Sequence, residues 1–344
     1  MIFPRAALLS GALALLSPGG ARAQEGVEFF AGRQMRIIVG TPPGGGYDAY
    51  ARLVARHLGD HLPGKPAFVV ENMPGASGTK AVNHLYAGAN ADGSVFATFN
   101  DAIPFYQATG QPGIAFRAER LSWIGSLTQT ASVAAVAKSA GVRSIDDAKR
   151  VEVLMGATGA AGTKSGFPRL LNSLLGTKFK VVTGYEGSNA VILAIERGEV
   201  QGDGSNPWSS WKVMRPRWVT RGLIVPILQI GMKKDADLPG VPLLGDLVEG
   251  DDARRLVEFA AAQVSMRQPF AGPPGVPPAR LAILRAGFER MAKDPAFLAD
   301  AEKSILDIDP AAGAEVERVV KRTIETPPDI VRKAQEAMGM TPAR

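Results

Sequence analysis

Apolar runs, polar loops and helix-type periodicity follow one another in a fixed order near the start of the chain. The run MRIIVG at residues 35–40 predicts a strand, and PPGGGYD at residues 42–48 predicts a loop. Residues 49–58 carry apolar side chains three and four positions apart, as on one face of a helix. Asp48 stands directly before this segment, and we expect it to be the helix N-cap.

The same order of strand, loop and helix repeats further along the chain. Apolar runs predict strands at residues 67–71, 95–100, 151–158, 178–185, 199–204 and 223–231. Helical periodicity predicts helices at residues 80–86, 167–175 and 189–197, and Gly176 is expected as the C′ residue of the second. Residues 237–262 are interpreted as a proline-punctuated connection. Strands that alternate with helices indicate an α/β fold with a largely parallel sheet.

The alternation begins twice, which indicates two α/β lobes. A first lobe would contain residues 24–128 and 263–344, and a second lobe, residues 129–262, would be inserted into it. The chain would then cross between the lobes at least twice, near residues 122–129 and near residues 263–270. Two crossings of this kind form a hinge.

The first 23 residues are typical of a secretory signal peptide, with Arg5 before an apolar run and Ala21-Arg22-Ala23 before the expected cleavage position. The run is shorter than the roughly 20 residues of a membrane span, and no second long apolar run follows. About 320 residues would remain, which suits two domains. The chain has no cysteine, which excludes disulfides and lipid attachment to cysteine. We therefore expect a soluble periplasmic protein that is not a lipoprotein and does not insert into the membrane.

The distribution of charged residues along the chain indicates which kinds of molecule it could bind. The formal net charge is +6, and loss of Arg5 and Arg22 with the signal peptide would leave +4. Lysines and arginines are scattered among acidic residues without interleaved aromatic residues, so a nucleic-acid groove is not expected. A mild preference for small anions is compatible with this charge.

Three glycine-rich loops stand where a predicted strand passes into a helix: PPGGGYD, GATGAAGTKS at residues 156–165 and GYEGSNA at residues 184–190. Glycine lets bare backbone approach a ligand, and free N–H groups at a helix start favour an anion. Each loop could instead be a plain turn with a capping side chain. The first is not a phosphate loop, because no Lys-Ser or Lys-Thr follows it. The second departs from the GxxxxGK[ST] spacing.

Signatures of catalysis are missing from the sequence. There is no GxSxG motif, and no pair of carboxylates stands out. His57 and His61 are four residues apart, a spacing that can hold a metal, but no HExxH motif frames them. We interpret both as exposed helix histidines. We expect no enzyme activity, no cofactor and no metal site.

Four segments resemble the solute receptors of the tripartite tricarboxylate transporter family, the Bug-type extracytoplasmic binding proteins. They are IIVGTPPGGGYDAYARLVARHL, VVENMPGASGTKAVNHLYAGANADG, GATGAAGTKSGF and GYEGSNAVILAIERGEVQG. The resemblance implies a two-lobed periplasmic binding protein fold of type II-like architecture, a small carboxylate ligand in the cleft and a permease partner in the inner membrane. The chain departs from the family at Gln201, where members commonly have an acidic residue, and in the segment SNPWSSW that follows.

The resemblance also implies where a ligand would bind. The glycine loop of the first lobe would meet one end of it, often through water, and loops of the second lobe would hold a carboxylate. With neighbouring polar residues of the same loops and strand ends added, the candidate ligand-binding residues are Gly44, Gly45, Gly46, Tyr47, Asp48, Ser77, Thr158, Gly159, Gly162, Thr163, Lys164, Ser165, Tyr185, Gly187, Ser188 and Asp203.

These patterns together predict a monomeric periplasmic receptor that captures a small organic anion and delivers it to a tripartite tricarboxylate-type transporter. One alternative is a ligand-sensing or interaction protein of the same fold without a transport partner. A secreted hydrolase is a further alternative, since a fold does not by itself specify a function.

Overall fold

The computed structural model describes residues 28–159 and 162–340. The predicted signal peptide, residues 1–23, lies outside the described residues. Within them the chain forms two β-sheets, each covered by helices. No helix in these two ranges is long and apolar enough to cross a bilayer.

The first sheet has the strand order β11-β4-β10-β3-β1-β2. Its strands are β1 Gln34–Val39, β2 Ala67–Asn72, β3 Val95–Thr98, β4 Ser122–Thr128, β10 Arg267–Gly272 and β11 Ala311–Ala312. Strand β1 is parallel to both of its neighbours, so that Ile37 lies opposite Val70 on one side and Phe96 on the other. Strand β10 runs antiparallel to β3 and β4.

The second sheet has the strand order β7-β6-β8-β5-β9. Its strands are β5 Ser132–Ala137, β6 Val153–Gly156, β7 Phe179–Val182, β8 Gly202–Pro207 and β9 Ile224–Ile230. Strand β6 is parallel to β7 and β8, whereas β5 is antiparallel to β8 and β9.

Both sheets are therefore mixed, and the expectation of a largely parallel sheet is corrected. The antiparallel pairs occur where the chain passes between the sheets. Strand β4 is the last before the chain leaves the first sheet, and it lies beside β10, the strand that returns. Strand β5 enters the second sheet and pairs with β9, the last strand there. A strand that leaves and a strand that returns run in opposite directions, so they pair antiparallel without a crossover helix.

The helices are α1 Gly46–His57, α2 Thr79–Gly88, α3 Ile103–Ala108, α4 Ile145–Ala148, α5 Thr163–Leu175, α6 Ser188–Glu196, α7 Trp208–Met214, α8 Pro216–Thr220, α9 Leu244–Leu247, α10 Asp251–Ala261, α11 Pro278–Met291, α12 Pro295–Lys303, α13 Gly313–Ile324 and α14 Pro328–Met338. Gly176 ends α5 in the left-handed conformation, as predicted. Helix α10 corrects the interpretation of residues 237–262 as a connection. It begins with two aspartates and buries an apolar face that includes Leu256 and Phe259.

Four clusters of buried side chains cover the two faces of each sheet. On β1, Ile37 packs under α1 and α11, and its neighbour Ile38 packs under α2 and α13. On β5, Ala134 and Ala135 divide between the two faces of the second sheet in the same way. Successive strand residues point to opposite faces, so strands buried on both faces are apolar without alternation.

The C-terminal helix α14 packs against α5 and α10, which cover one face of the second sheet. Its residues Ile330, Ala334 and Met338 pack in the same cluster as α5 and α10. We therefore propose that residues 328–340 belong with the second lobe, which differs from the expected extent of the first lobe at its C-terminal end.

Glycine at two positions of β8 allows close packing, against α5 at Gly204 and against the neighbouring strand β5 at Gly202. A Cβ on Gly204 would lie 2.4 Å from Cγ of Pro168, and a Cβ on Gly202 would lie 2.7 Å from the carbonyl oxygen of Ala135. Both distances are shorter than real contacts allow, so only glycine fits there. This close packing brings the first turn of α5 to the end of β8.

We expect Gly204→Ala to destabilise the protein by about 1 to 3 kcal/mol, because the new methyl group must displace Pro168 in α5. Urea unfolding measures this change. Gly240→Ala is the matched control, since its Cβ would have no neighbour within 4 Å. Equal unfolding midpoints for the two variants would contradict the close packing of α5 on β8.

Candidate functional site

A cavity of about 400 Å³ lies between loops that belong to the two sheets. On the side of the first sheet its wall consists of Ala76, Ser77, Thr79, Asn100, Asp101 and Ala102. On the side of the second sheet the wall includes Thr158, Gly162, Thr163, Lys164 and Gly166. Gln263, Val264 and Arg267 line it where the chain returns to the first sheet.

The position of this cavity follows from the direction of the strands. Strand β3 ends at Thr98, just before Asn100, and β6 ends at Gly156, just before Thr158. Polar residues that follow the carboxyl ends of parallel strands collect at one edge of a sheet. Helices α2 and α5 also begin at this edge, so two helix N-termini with free N–H groups open on the cavity.

The loop before α2 is strained where it forms the wall. Ala76 has φ 46° and Ser77 has φ 53°, a left-handed conformation that residues other than glycine rarely adopt. Such conformations cost of order 1 kcal/mol each and persist where the surrounding structure imposes them.

Asp101 is a buried carboxylate on the first-lobe wall, with 10% of its side chain exposed. The hydroxyl of Tyr47 donates to Oδ1 at 3.1 Å, and the backbone N–H of Asp101 donates to the same hydroxyl at 3.2 Å. Oδ2 has no hydrogen-bond partner among the described residues and lies 3.8 Å from Nη1 of Arg267. Burial raises the pKa of Asp101, and the nearby charge of Arg267 opposes that rise.

Arg267 connects the segments that pass between the sheets. Its Nε donates to the carbonyl oxygen of Thr130 at 3.2 Å, and its Nη2 donates to Oγ of Ser132 at 2.7 Å. Oγ of Ser132 lies 3.1 Å from Oγ of Ser205 in β8. The guanidinium group is thereby held at the crossing, with Nη1 turned toward Asp101.

Lys164 is the second residue of α5 and stands on the opposite wall. Its Nζ forms an ion pair with Oδ2 of Asp203 and lies 3.3 Å from Oδ1 of Asn206. Asp203 is fully buried in β8, where its Oδ1 accepts a hydrogen bond from the backbone N–H of Ser205 at 2.9 Å. Lys164 thus lines the cavity, and its ammonium group is held by the buried carboxylate of Asp203.

Comparison with solved structures identifies the fold. A TctC solute-binding protein from Polaromonas has a TM-score of 0.68 and 18% identity, over 90% of this chain and 98% of that one. A Rhodopseudomonas palustris protein solved with adipate has a TM-score of 0.63 and 20% identity, over 91% and 99%. MatC from Rhodopseudomonas palustris, solved with bound malate, has a TM-score of 0.61 and 18% identity, over 88% and 100%.

The chain has the fold of these solute-binding proteins. The expectation of a two-lobed α/β periplasmic binding protein fold, and of similarity to the TctC and Bug-type receptors, is thus confirmed at the level of structure. No protein-family model and no curated protein sequence matches the chain.

Five of the candidate residues line the central cavity of this solute-binding fold: Ser77, Thr158, Gly162, Thr163 and Lys164. Two more candidates bind residues of the cavity wall. Tyr47 forms a hydrogen bond with Asp101, and Asp203 forms an ion pair with Lys164. Ser165 is buried, and its hydroxyl donates to the carbonyl oxygen of Gly159 within the same loop. Their contact with a ligand stays a prediction.

The other candidate residues are not among the described residues that line this cavity. Gly46 lines a second hollow of about 270 Å³ on another side of Arg267, together with Tyr50 and Asp307. Tyr185 packs at the edge of the core under α6. The remaining candidates, which line neither this cavity nor the second hollow, are Gly44, Gly45, Asp48, Gly187 and Ser188.

Asp48 was expected from the sequence to be the N-cap of α1. In the structure Gly45 is the N-cap, and Asp48 is the third residue of the helix. Its buried carboxylate accepts hydrogen bonds from the backbone N–H of Gly44 at 2.9 Å and from Nδ2 of Asn72 at 2.9 Å. Arg52 donates to both of its oxygens, at 3.0 Å each. Asp48 therefore fixes the glycine loop to α1 and to the end of β2.

Several wall residues were absent from the sequence-based candidates. Asn100 and Asp101 come within three residues of the end of β3 at Thr98, so the strand-end rule that selected the other loops also applies to them. Tyr106 lines the cavity, and burial together with Asp101 raises the pKa of its hydroxyl to about 12. Gln263 and Arg267 had no motif to mark them, because their position depends on how β10 returns to the first sheet.

The two histidines are not exposed, which corrects their interpretation. Nε2 of His57 lies 2.9 Å from Asp300, and Nε2 of His61 lies 3.1 Å from Asp294, with 19% and 15% of the histidine side chains exposed. Each imidazole thus binds a different carboxylate of the α12 region. The described residues contain no group of three or more metal-ligating side chains.

The contacts of Asp48 predict a pH dependence of stability. Hydrogen bonds from Arg52 make the largest contribution to lowering its pKa from 3.8 to about 2. A carboxylate with a lowered pKa stabilises the fold above its unfolded value, and this contribution is lost as the pH falls from about 4 to about 2. Because Arg52 is half exposed, we expect Asp48→Asn to cost about 1 to 2 kcal/mol at pH 7.

Urea unfolding at pH 7 and pH 3 tests this expectation, and the difference from the unmodified protein should shrink at pH 3. Asp60→Asn is the control, because Asp60 forms an exposed pair with Lys65. A loss of stability by Asp48→Asn that is the same at both pH values would argue against the carboxylate as its source.

Proposed function

We propose that this protein is a periplasmic receptor that binds a small carboxylate in the cavity between its two lobes and passes it to a membrane transporter of the tripartite tricarboxylate type. The observation that carries the proposal is the shared cavity, which the N-terminus of α5 and Lys164 line from one sheet and Asp101 and Arg267 line from the other. The fold is that of solute-binding proteins, and two structures with it are described as holding adipate and malate.

The size of the cavity suits a small ligand. About 400 Å³ lies within the range of roughly 300 to 1,000 Å³ of small-molecule sites. One helix N-terminus contributes about 0.3 to 1 kcal/mol to anion binding, whereas micromolar affinity needs about 8 kcal/mol. The two walls must therefore act together, with water excluded between them.

The charged side chains of the cavity wall occur in pairs of opposite charge. Lys164 pairs with Asp203, and Arg267 lies beside Asp101, so each cation has a carboxylate near it. The site then recognises an anion through oriented N–H groups, hydroxyl groups and two held cations rather than through excess positive charge.

We also propose that the protein is not an enzyme. Among the described cavity residues, no hydroxyl is hydrogen-bonded to a histidine or carboxylate in the arrangement that activates a nucleophile. Tyr47 does bind Asp101, but burial raises the pKa of its hydroxyl, which keeps it a hydrogen-bond donor.

Calorimetry with a panel of small carboxylates tests the proposal directly, together with native mass spectrometry of the protein purified without denaturation. We expect at least one acid to bind with micromolar or tighter affinity, or an anion to co-purify. Absence of both would contradict a carboxylate receptor.

Thr163→Val should weaken carboxylate binding by about three- to tenfold, because it removes a hydroxyl from the cavity wall and keeps the shape of the side chain. Isothermal titration with the best acid of the panel measures the effect. Thr220→Val is the control, since Thr220 is exposed on α8. If both variants bind as the unmodified protein does, the start of α5 is not a ligand contact.

A further inference from the structure

Asp101 and Arg267 leave a polar gap in the cavity wall. Oδ1 of Asp101 is occupied by Tyr47, whereas Oδ2 is buried and has no hydrogen-bond partner among the described residues. Nε and Nη2 of Arg267 are occupied by Thr130 and Ser132. Nη1 lies 3.8 Å from Oδ2 of Asp101, which is too far for a hydrogen bond between them.

A buried acceptor without a partner is unfavourable, and native structures rarely retain one. An oxygen atom placed about 2.8 Å from both Oδ2 and Nη1 would satisfy the two groups together, since two atoms 3.8 Å apart can share a partner at that distance. Both side chains line the cavity proposed to hold the ligand.

The chemistry of the gap selects among ligand groups. A carboxylate accepts from Arg267 but faces the carboxylate of Asp101 with a like charge. An ammonium group donates to Asp101 but faces the guanidinium group of Arg267. A hydroxyl group both donates and accepts, so it can donate to Oδ2 and accept from Nη1.

We propose that Asp101 and Arg267 form a specificity-determining pair that recognises a hydroxyl group on the ligand, and that the ligand is a small hydroxycarboxylate. This inference rests on the proposed function, because it assumes that a carboxylate occupies the cavity. Lys164 and the N-terminus of α5 would hold the carboxylate, and the pair would position the carbon that bears the hydroxyl. Since the pair is fixed by Tyr47 on one side and by Thr130 and Ser132 on the other, it distinguishes the two enantiomers of a hydroxy acid.

Matched acids that differ only in one hydroxyl test the inference. Isothermal titration compares malate with succinate, 2-hydroxyglutarate with glutarate, and lactate with propionate, using both enantiomers of each hydroxy acid. In the pair of best fitting length we expect one enantiomer to bind at least about tenfold more tightly than the acid without the hydroxyl.

Asp101→Asn removes this preference. Tyr47 donates to Oδ1, so the asparagine oxygen remains there and the amide NH2 group faces the gap. A donor then stands beside Nη1 where an acceptor stood, and the ratio of affinities should fall to within about threefold. Asp307→Asn is the matched control, because Asp307 lies near Arg267 in the second hollow and outside the proposed site. It should keep the original ratio.

The outcomes separate the two proposals. If hydroxylated and unsubstituted acids bind the unmodified protein equally, or if only acids outside these pairs bind, the hydroxyl inference is overturned and the carboxylate receptor stands. If no carboxylate binds at all, the proposed function fails. A water molecule that fills the gap by itself would give equal binding within every pair. The comparison of hydroxylated with unsubstituted acids uses the unmodified protein, so it tests the hydroxyl inference even if Asp101→Asn does not fold.

Discussion

Each sheet of this protein is covered by helices on both faces, and this constraint determines where chemistry can occur. Strand residues such as Ile37 and Ile38 are fully buried on opposite faces, so polar groups along the strands would lack water and partners. The polar side chains of the cavity wall therefore lie mainly where strands end and helices begin. The central cavity lies at such ends in both sheets, and its residues come from segments far apart in sequence.

The alternation of strands and helices was readable in the sequence because doubly covered sheets need continuous apolar runs. The loops at Gly156 and Ser77 were found for the same reason, since glycine and small polar residues follow these runs. The antiparallel strand β10 was not found, because RQPFAG is short and contains proline. Helix α10 was missed where prolines before it suggested a connection.

The site was predictable only in part, and the missing residues share a physical cause. Asn100 ends a predicted strand and Asp101 follows it, so both needed only a consistent use of the strand-end rule. Arg267 lies 166 positions from Asp101, the difference of their residue numbers, and the two meet only because β10 returns beside β3 and β4. The role of Asp48 was recognised in outline, but its partner Asn72 comes from the end of β2, which no local pattern reveals.

Helix α14 makes the core on one face of the second sheet depend on residues 328–338. Ile330 and Ala334 belong to a core that also includes residues of β5, β6, α5 and α10, and Met338 also lines the cavity. In a chain that emerges from its N-terminus, the second sheet can form early, but α5 and α10 keep an exposed apolar surface until residues 328–338 have emerged. The cavity wall at Met338 is therefore completed late, and a chain truncated before residue 328 would expose apolar surface of α5 and α10 to chaperones and proteases.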